Sequence, residues 1–196
     1  MKLHCHPISP YARKAMILAR LHELEIDEVI AKADGSRGYT GGINPLGKIP
    51  ALETEMDGLI FDSPVICEYI DNLSKTSLLP KDPRDRINQL RLHALGDGVS
   101  DAVYNYRYET VREASLYWHK QIKRHNTALE MSVAYLNNHI DDLGVPWEFG
   151  NLSIICALDY MSYRAGHVEW KNTAPALARW YDQFTKDPVY LDTYAF

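Results

Sequence analysis

The sequence predicts an α/β domain followed by an all-α domain. Three observations carry that expectation. Within the first eighty residues, short apolar runs and one helical stripe alternate in the order strand, helix, strand, loop, hairpin, helix. Beyond them, strand patterning nearly vanishes and long helix-forming stretches take over. Between the two lies Ser74 to Arg84, whose Leu79–Pro80 and Asp82–Pro83 pairs read as a linker.

Each element has its own signal. Lys2 to His6 is a short strand with Leu3 and Cys5 on its apolar side. Ala15, Leu18, Leu21 and Leu24 form one stripe of a helix that starts after Ser9–Pro10. Ile26 to Ala31 is a second strand, and Asp34 to Gly42 a glycine-rich polar loop. Ile49 to Thr54 and Leu59 to Phe61 flank Asp57–Gly58, a hairpin turn signal. A helix then opens with Ser63 as the expected N-cap and Pro64 in its first position. The resulting sheet has one parallel pair made by a helical crossover, with an antiparallel hairpin beside it. Later helices are expected over Arg84 to Arg112, Tyr117 to Leu143, Ser153 to Ala165 and Ala174 to Lys186. Their breaks fall at Gly144–Pro146, Gly166 and Asp187–Pro188.

Composition narrows the function classes. The 196 residues are 46% hydrophobic and 24% charged, ordinary for a globular protein with a real core. A net charge of −5 without a basic block argues against a nucleic-acid partner. With neither a signal-peptide pattern nor a long apolar run, no membrane association is expected. Three scattered cysteines, Cys5, Cys67 and Cys156, form neither a disulfide framework nor metal-ligand spacing. They point to a reducing compartment, so the expected location is cytoplasmic. The eight histidines show no metal-ligand spacing either, and no metal is expected.

Chemistry begins at Ser9–Pro10–Tyr11–Ala12, between the first strand and the first helix. Thioredoxin-like redox proteins keep a Cys-x-x-Cys pair at such a position. The tetrapeptide resembles the Cys-Pro-Tyr-Cys of glutaredoxins with both thiols gone, so dithiol exchange there is ruled out. A hydroxyl at a helix N-terminus remains, where unpaired N–H groups and the helix dipole favour an anion. Taken alone, Ser9 fits a plain helix cap at least as well.

Two more segments stand in fixed order behind it. Asn44–Pro45–Leu46–Gly47–Lys48–Ile49–Pro50–Ala51–Leu52 leads into the hairpin, and Asp62–Ser63 follows it. With the Ser-Pro-Tyr turn and Arg13–Lys14, the chain resembles the glutathione S-transferase family, in particular its short bacterial members. The resemblance covers nearly the whole chain. It implies an N-terminal thioredoxin-like domain over residues 1–77 that binds glutathione. It also implies a C-terminal helical glutathione-transferase-type domain over residues 86–196 that carries the electrophile site.

The resemblance assigns roles position by position. Ser9 would be the catalytic hydroxyl holding glutathione's sulfur. Pro50 would follow a cis peptide, leaving the main-chain N–H and C=O of Ile49 to pair with the cysteinyl backbone as an added strand would. An ordinary strand entry with a trans proline is the alternative. Ser63 would offer its hydroxyl and N–H to the γ-glutamyl carboxylate, and Asp62 would meet the ammonium. Helix capping alone also accounts for that pair. Lys48 would attract the glycyl carboxylate, although a solvated lysine fits equally. Tyr11, Tyr104 and Tyr108 are candidates for the electrophile site, against the plainer expectation that aromatic residues at helical spacing pack a core or an interface.

The implied activity is glutathione transfer to a small electrophile, a detoxification chemistry, by a homodimer with glutathione as co-substrate. A regulatory interaction protein of the same fold, or a glutathione-dependent isomerase or peroxidase, are the alternatives. Two departures from the family are visible. Ser153–Ile154–Ile155–Cys156 keeps an expected N-cap but lacks the acidic partner of a capping box. The chain also lacks the Ser-Ser-Cys run of the maleylacetoacetate isomerase branch and the cysteine near position ten of another bacterial branch.

Overall fold

The computed structural model describes residues 1–32, 38 and 43–196. It divides into two units: Met1–Pro80 with Pro188–Ala195, and Lys81–Asp187 with Phe196. Apart from Gly38, the loop expected over Asp34 to Gly42 lies outside the described residues.

The first unit is built on a four-stranded mixed sheet of order β2-β1-β3-β4. Its elements are β1 (Lys2–Cys5), α1 (Pro10–Leu21), β2 (Asp27–Ile30), β3 (Ala51–Thr54), β4 (Gly58–Ile60) and α2 (Ser63–Leu73). β1 pairs in parallel with β2, Leu3 opposite Glu28, through the α1 crossover. β3 runs antiparallel to β1, with Leu3 opposite Leu52, and antiparallel to β4, with Leu52 opposite Ile60. The expected topology is therefore observed. Gly58 takes φ +69° at the hairpin turn, a conformation that suits a residue without Cβ. Leu3, Cys5, Ala51 and Leu52 from the sheet are buried, as are Ala15, Ile17 and Leu18 of α1 and Ile66 and Ile70 of α2.

A last helix, α8 (Pro188–Thr193), belongs to this first unit. Arg20 Nε of α1 donates to Asp192 Oδ2 at 2.7 Å, one of the bonds that hold it there. Local sequence gave no sign of this return, because Asp187–Pro188 reads only as a break.

The second unit holds α3 (Pro83–Thr110), α4 (His119–Asn138), α5 (Phe149–Arg164), α6 (Trp170–Thr173) and α7 (Pro175–Tyr181). Every residue from Phe149 to Met161 is buried, so α5 is the central helix. Its buried polar side chains find partners inside the unit: Asn151 donates to the Leu143 carbonyl at 2.6 Å, and Asp159 accepts from the Tyr181 hydroxyl. α3 packs directly against α5, and glycine permits the approach: a Cβ on Gly96 would stand 2.4 Å from the Ser153 carbonyl carbon.

Two expected helix starts are corrected. α2 has Asp62 as its N-cap, which places Ser63 first and Pro64 second in the helix. α5 starts at Phe149 behind Glu148, so Ser153 is an interior residue and caps nothing. Its hydroxyl donates to Asp97 Oδ1 at 2.7 Å instead. Gly150 and Asn151, poor helix formers, disguised this earlier turn.

Candidate functional site

Strand register decides which segments meet. Ala51, the first residue of β3, lies opposite His4 near the end of β1. Leu52, the next, lies opposite Ile60 at the end of β4. The turn after β1, the loop before β3 and the turn after β4 thus emerge at one edge of the sheet. These carry Ser9 with Tyr11, Lys48 with Ile49 and Pro50, and Asp62 with Ser63, respectively. Seven of the nine predicted site residues are gathered there.

Ser9 is the N-cap of α1. Its Oγ accepts from the Ala12 N–H at 3.3 Å, and its own N–H donates to the His6 carbonyl at 2.9 Å. Among the described residues, the Ser9 hydroxyl donates to none, so its proton is available to a ligand. Capping uses only the acceptor half of this hydroxyl. Tyr11 is half-buried in the first turn of the same helix.

The loop before β3 is shaped by Asn44, which is only 1% exposed. Asn44 Nδ2 donates to the Lys48 carbonyl at 2.9 Å, and its Oδ1 accepts from the Leu46 N–H at 2.9 Å. The Gly47 N–H donates to the Asn44 carbonyl at 2.8 Å, and Gly47 takes φ +62°. The Ile49–Pro50 peptide is cis, and Pro50 is buried while Lys48 is exposed. The family motif assigns no role to Asn44. The turn signal of an asparagine before proline, whose amide can bond its own loop, is what could have found it.

At the third turn, Asp62 is exposed, and its carboxylate has no partner among the described residues. Ser63 is buried, and its hydroxyl makes no hydrogen bond among the described residues. The peptide between Phe61 and Asp62 is also cis. The first turn of α2 leaves the Ser63 and Val65 N–H groups without helical acceptors, Pro64 having none to offer. An anion held there would meet two N–H groups, a hydroxyl and the positive end of the helix dipole.

Asp71 anchors the far end of α2, again without a role in the sequence. Buried, it accepts from His22 Nε2 at 2.8 Å, from the Ser77 hydroxyl, and from the Leu78 and Leu79 N–H groups at 2.8 and 3.0 Å. Burial would raise its pKa, but these donors outweigh burial and hold it below the usual carboxylate range.

Cys5 is no nucleophile. Burial foremost, with Glu28 adding and Arg20 opposing, pushes its thiol up to about 11. All three cysteines are buried, and none is in a disulfide. No described group of three His, Cys, Asp or Glu side chains is placed to hold a metal ion. No described helix is long and apolar enough to cross a membrane.

Tyr104 and Tyr108 belong to the second unit. They sit one turn apart on α3, 40% and 51% exposed, with ring centres 4.4 Å apart.

Residues 8–73 match the family described as glutathione S-transferase, N-terminal domain. The uncharacterized GST-like protein YibF of Escherichia coli strain K12 is 31% identical over 183 residues, 91% of each chain. The chain belongs to the glutathione S-transferase family. Solved members match it along its length. One from Pseudomonas fluorescens Pf-5, with bound glutathione, has a TM-score of 0.90 at 30% identity, covering 100% of this chain and 98% of that one. Another from Methylobacillus flagellatus KT, also with glutathione bound, has a TM-score of 0.92 at 29% identity, covering 100% and 99%. The chain has the glutathione S-transferase fold, a small mixed sheet with a helical second part.

Proposed function

We propose that this glutathione S-transferase family member transfers the sulfur of glutathione to a small electrophile, with Ser9 holding the thiolate. The observation that carries this is the convergence of Ser9, Ile49–Pro50 and Asp62–Ser63 at one sheet edge. Glutathione bound in the two related structures supports it.

The chain's own groups divide the work. The Ile49 main chain pairs with the cysteinyl backbone, as in strand addition. The Ser63 hydroxyl and N–H take the γ-glutamyl carboxylate, the Asp62 carboxylate takes the ammonium, and Lys48 draws the glycyl carboxylate. The Ser9 O–H donates to the sulfur. A free thiol titrating near 8.5 is only about 3% ionised at pH 7. Lowering it to about 6.5 needs ~2.7 kcal/mol of preference for the anion. A hydrogen bond to an anion, about 1.5–3 kcal/mol, together with the end of α1, supplies that. Nucleophilicity falls with pKa, so the net gain is about a few-fold and most acceleration comes from holding the electrophile beside the sulfur. Tyr11, Tyr104 and Tyr108 are the side chains assigned to that electrophile. In the same reading the protein acts as a cytoplasmic homodimer in detoxification.

Thermal shift with glutathione is the test. Ligand at a hundred times its dissociation constant adds about 2.7 kcal/mol of stability. A shift, followed by turnover of a chlorinated nitrobenzene that falls in Ser9→Ala, is the expected result. No shift up to ~10 mM glutathione would remove the transferase reading and favour an interaction protein of the same fold.

A further inference from the structure

Arg13 stands in the same short motif as Ser9, yet glutathione chemistry leaves it without a task. It is 1% exposed. Its N–H donates to the Ser9 carbonyl at 3.0 Å, so it closes the first turn of α1. Its guanidinium reaches α8: Nε donates to Thr193 Oγ1 and Nη2 to the Tyr190 carbonyl, both at 3.3 Å. The charge also lies over the rings of Tyr190 and Tyr194, 4.8 and 5.3 Å from their centres. Those rings stack on each other at 5.3 Å. Thr193 Oγ1 is free to accept because it passes its own proton to the Val189 or Tyr190 carbonyl.

Burying a guanidinium is costly, and an apolar side chain of similar volume would fill the space at lower cost. What the arginine adds is geometry. Its rigid fork of donors fixes distance and angle together, which a lysine point charge does not. α8 is six residues long, too short to hold its shape alone, so its order depends on such ties.

We propose that Arg13 is a positioning residue for Ser9: it clamps the first turn of α1 to α8 and so fixes where the Ser9 hydroxyl stands. The inference rests on the reading of Ser9 as the thiolate's partner. A misplacement of ~1 Å at a reacting atom can cost about a hundredfold in rate, which is why such a clamp would matter.

The test uses the full chain carrying Arg13→Lys, and Thr193→Val, which removes one acceptor while keeping the side-chain shape. Arg20→Gln is the comparison: at the far end of α1 it cuts the 2.7 Å bond to Asp192 and the ion pair with Glu28 but leaves the Arg13 bonds to Thr193 and Tyr190 in place. Two readouts are taken: amide hydrogen exchange across residues 10–16, and the ultraviolet titration of the thiolate of bound glutathione. Arg13→Lys and Thr193→Val are expected to speed exchange in the first turn of α1. Both should raise the bound thiol's pKa, by about one unit in Arg13→Lys, while glutathione affinity changes less than about threefold. Arg20→Gln should leave the thiol titration in place. Unchanged exchange in both variants would show that there is no clamp. Faster exchange with an unmoved thiol pKa, or an equal shift in Arg20→Gln, would reduce Arg13 to a structural residue and overturn the proposal. Wild-type protein that binds no glutathione would defeat the transferase reading and this role with it, while the exchange data would still report on the clamp.

Discussion

The side-chain amide of Asn44 donates to the Lys48 carbonyl across 2.9 Å, and so fixes the loop that presents Ile49. The same side chain accepts from the Leu46 N–H. Asn44→Ala removes both bonds from a buried side-chain position, which should cost about 1–3 kcal/mol in urea unfolding. Glutathione affinity should fall about tenfold by calorimetry, because the strand-like contact at Ile49 loses its fixed geometry. An unchanged affinity in a folded variant would detach this loop from glutathione binding.

Ser9 caps α1, and substitutions should separate that duty from the proposed hold on sulfur. Ser9→Ala removes the acceptor for the Ala12 N–H and should lower stability by about 1 kcal/mol. It also removes the donor to sulfur, so the pKa of bound glutathione should rise by about one unit or more. Ser9→Gly should keep most of the cap, since glycine is tolerated there, yet lose the donor just as fully. A thiolate titration that follows stability and not the hydroxyl would assign Ser9 to capping alone.

Asp71 makes stability depend on acid in a predictable direction. Its folded pKa is depressed. Its contribution is therefore fully present above the ordinary carboxylate value near ~4 and is lost as pH falls through the lower folded value. The variant Asp71→Asn should melt well below wild type at pH 6. The gap should narrow steadily as pH falls below about 4, because wild type then protonates toward the same neutral state. A gap independent of pH would mean that shape, and not the carboxylate charge, holds His22 and the Ser77–Leu79 segment.

Local signals carried the sheet and the three segments gathered at its edge because each depends on neighbours in sequence. Asp57–Gly58 marks a turn by its own backbone preference, and Ser9–Pro10 marks a helix start by cap and ring geometry. Features that local sequence does not show depend on distant partners. Arg13 meets Thr193 and Tyr190 across nearly the whole chain, and Asp71 gathers His22 with the segment after α2. No periodicity reports such pairs. Ser153 misled for a different reason. Serine is favoured at caps, so its presence inside α5 shows only once Asp97 appears as its partner.

Two glycines on α3 offer a test of how closely α3 and α5 pack. A Cβ at Gly96 would lie 2.4 Å from the Ser153 carbonyl carbon and 2.7 Å from the Ile154 nitrogen, both backbone atoms that cannot swing aside. A Cβ at Gly98 would meet nothing within 4 Å. Intrinsic helix preference favours alanine over glycine by up to about 1 kcal/mol at either position. Gly98→Ala should therefore be stabilising. At Gly96 the same gain is opposed by forced separation of two helix backbones, an overpacking cost of about 1–3 kcal/mol or more. Gly96→Ala should then be net destabilising, and Ser153 should lose its 2.7 Å bond to Asp97 as the helices part. Urea unfolding of the two variants decides the matter by sign. Stabilisation by both would mean that α3 and α5 do not approach as closely as Gly96 requires.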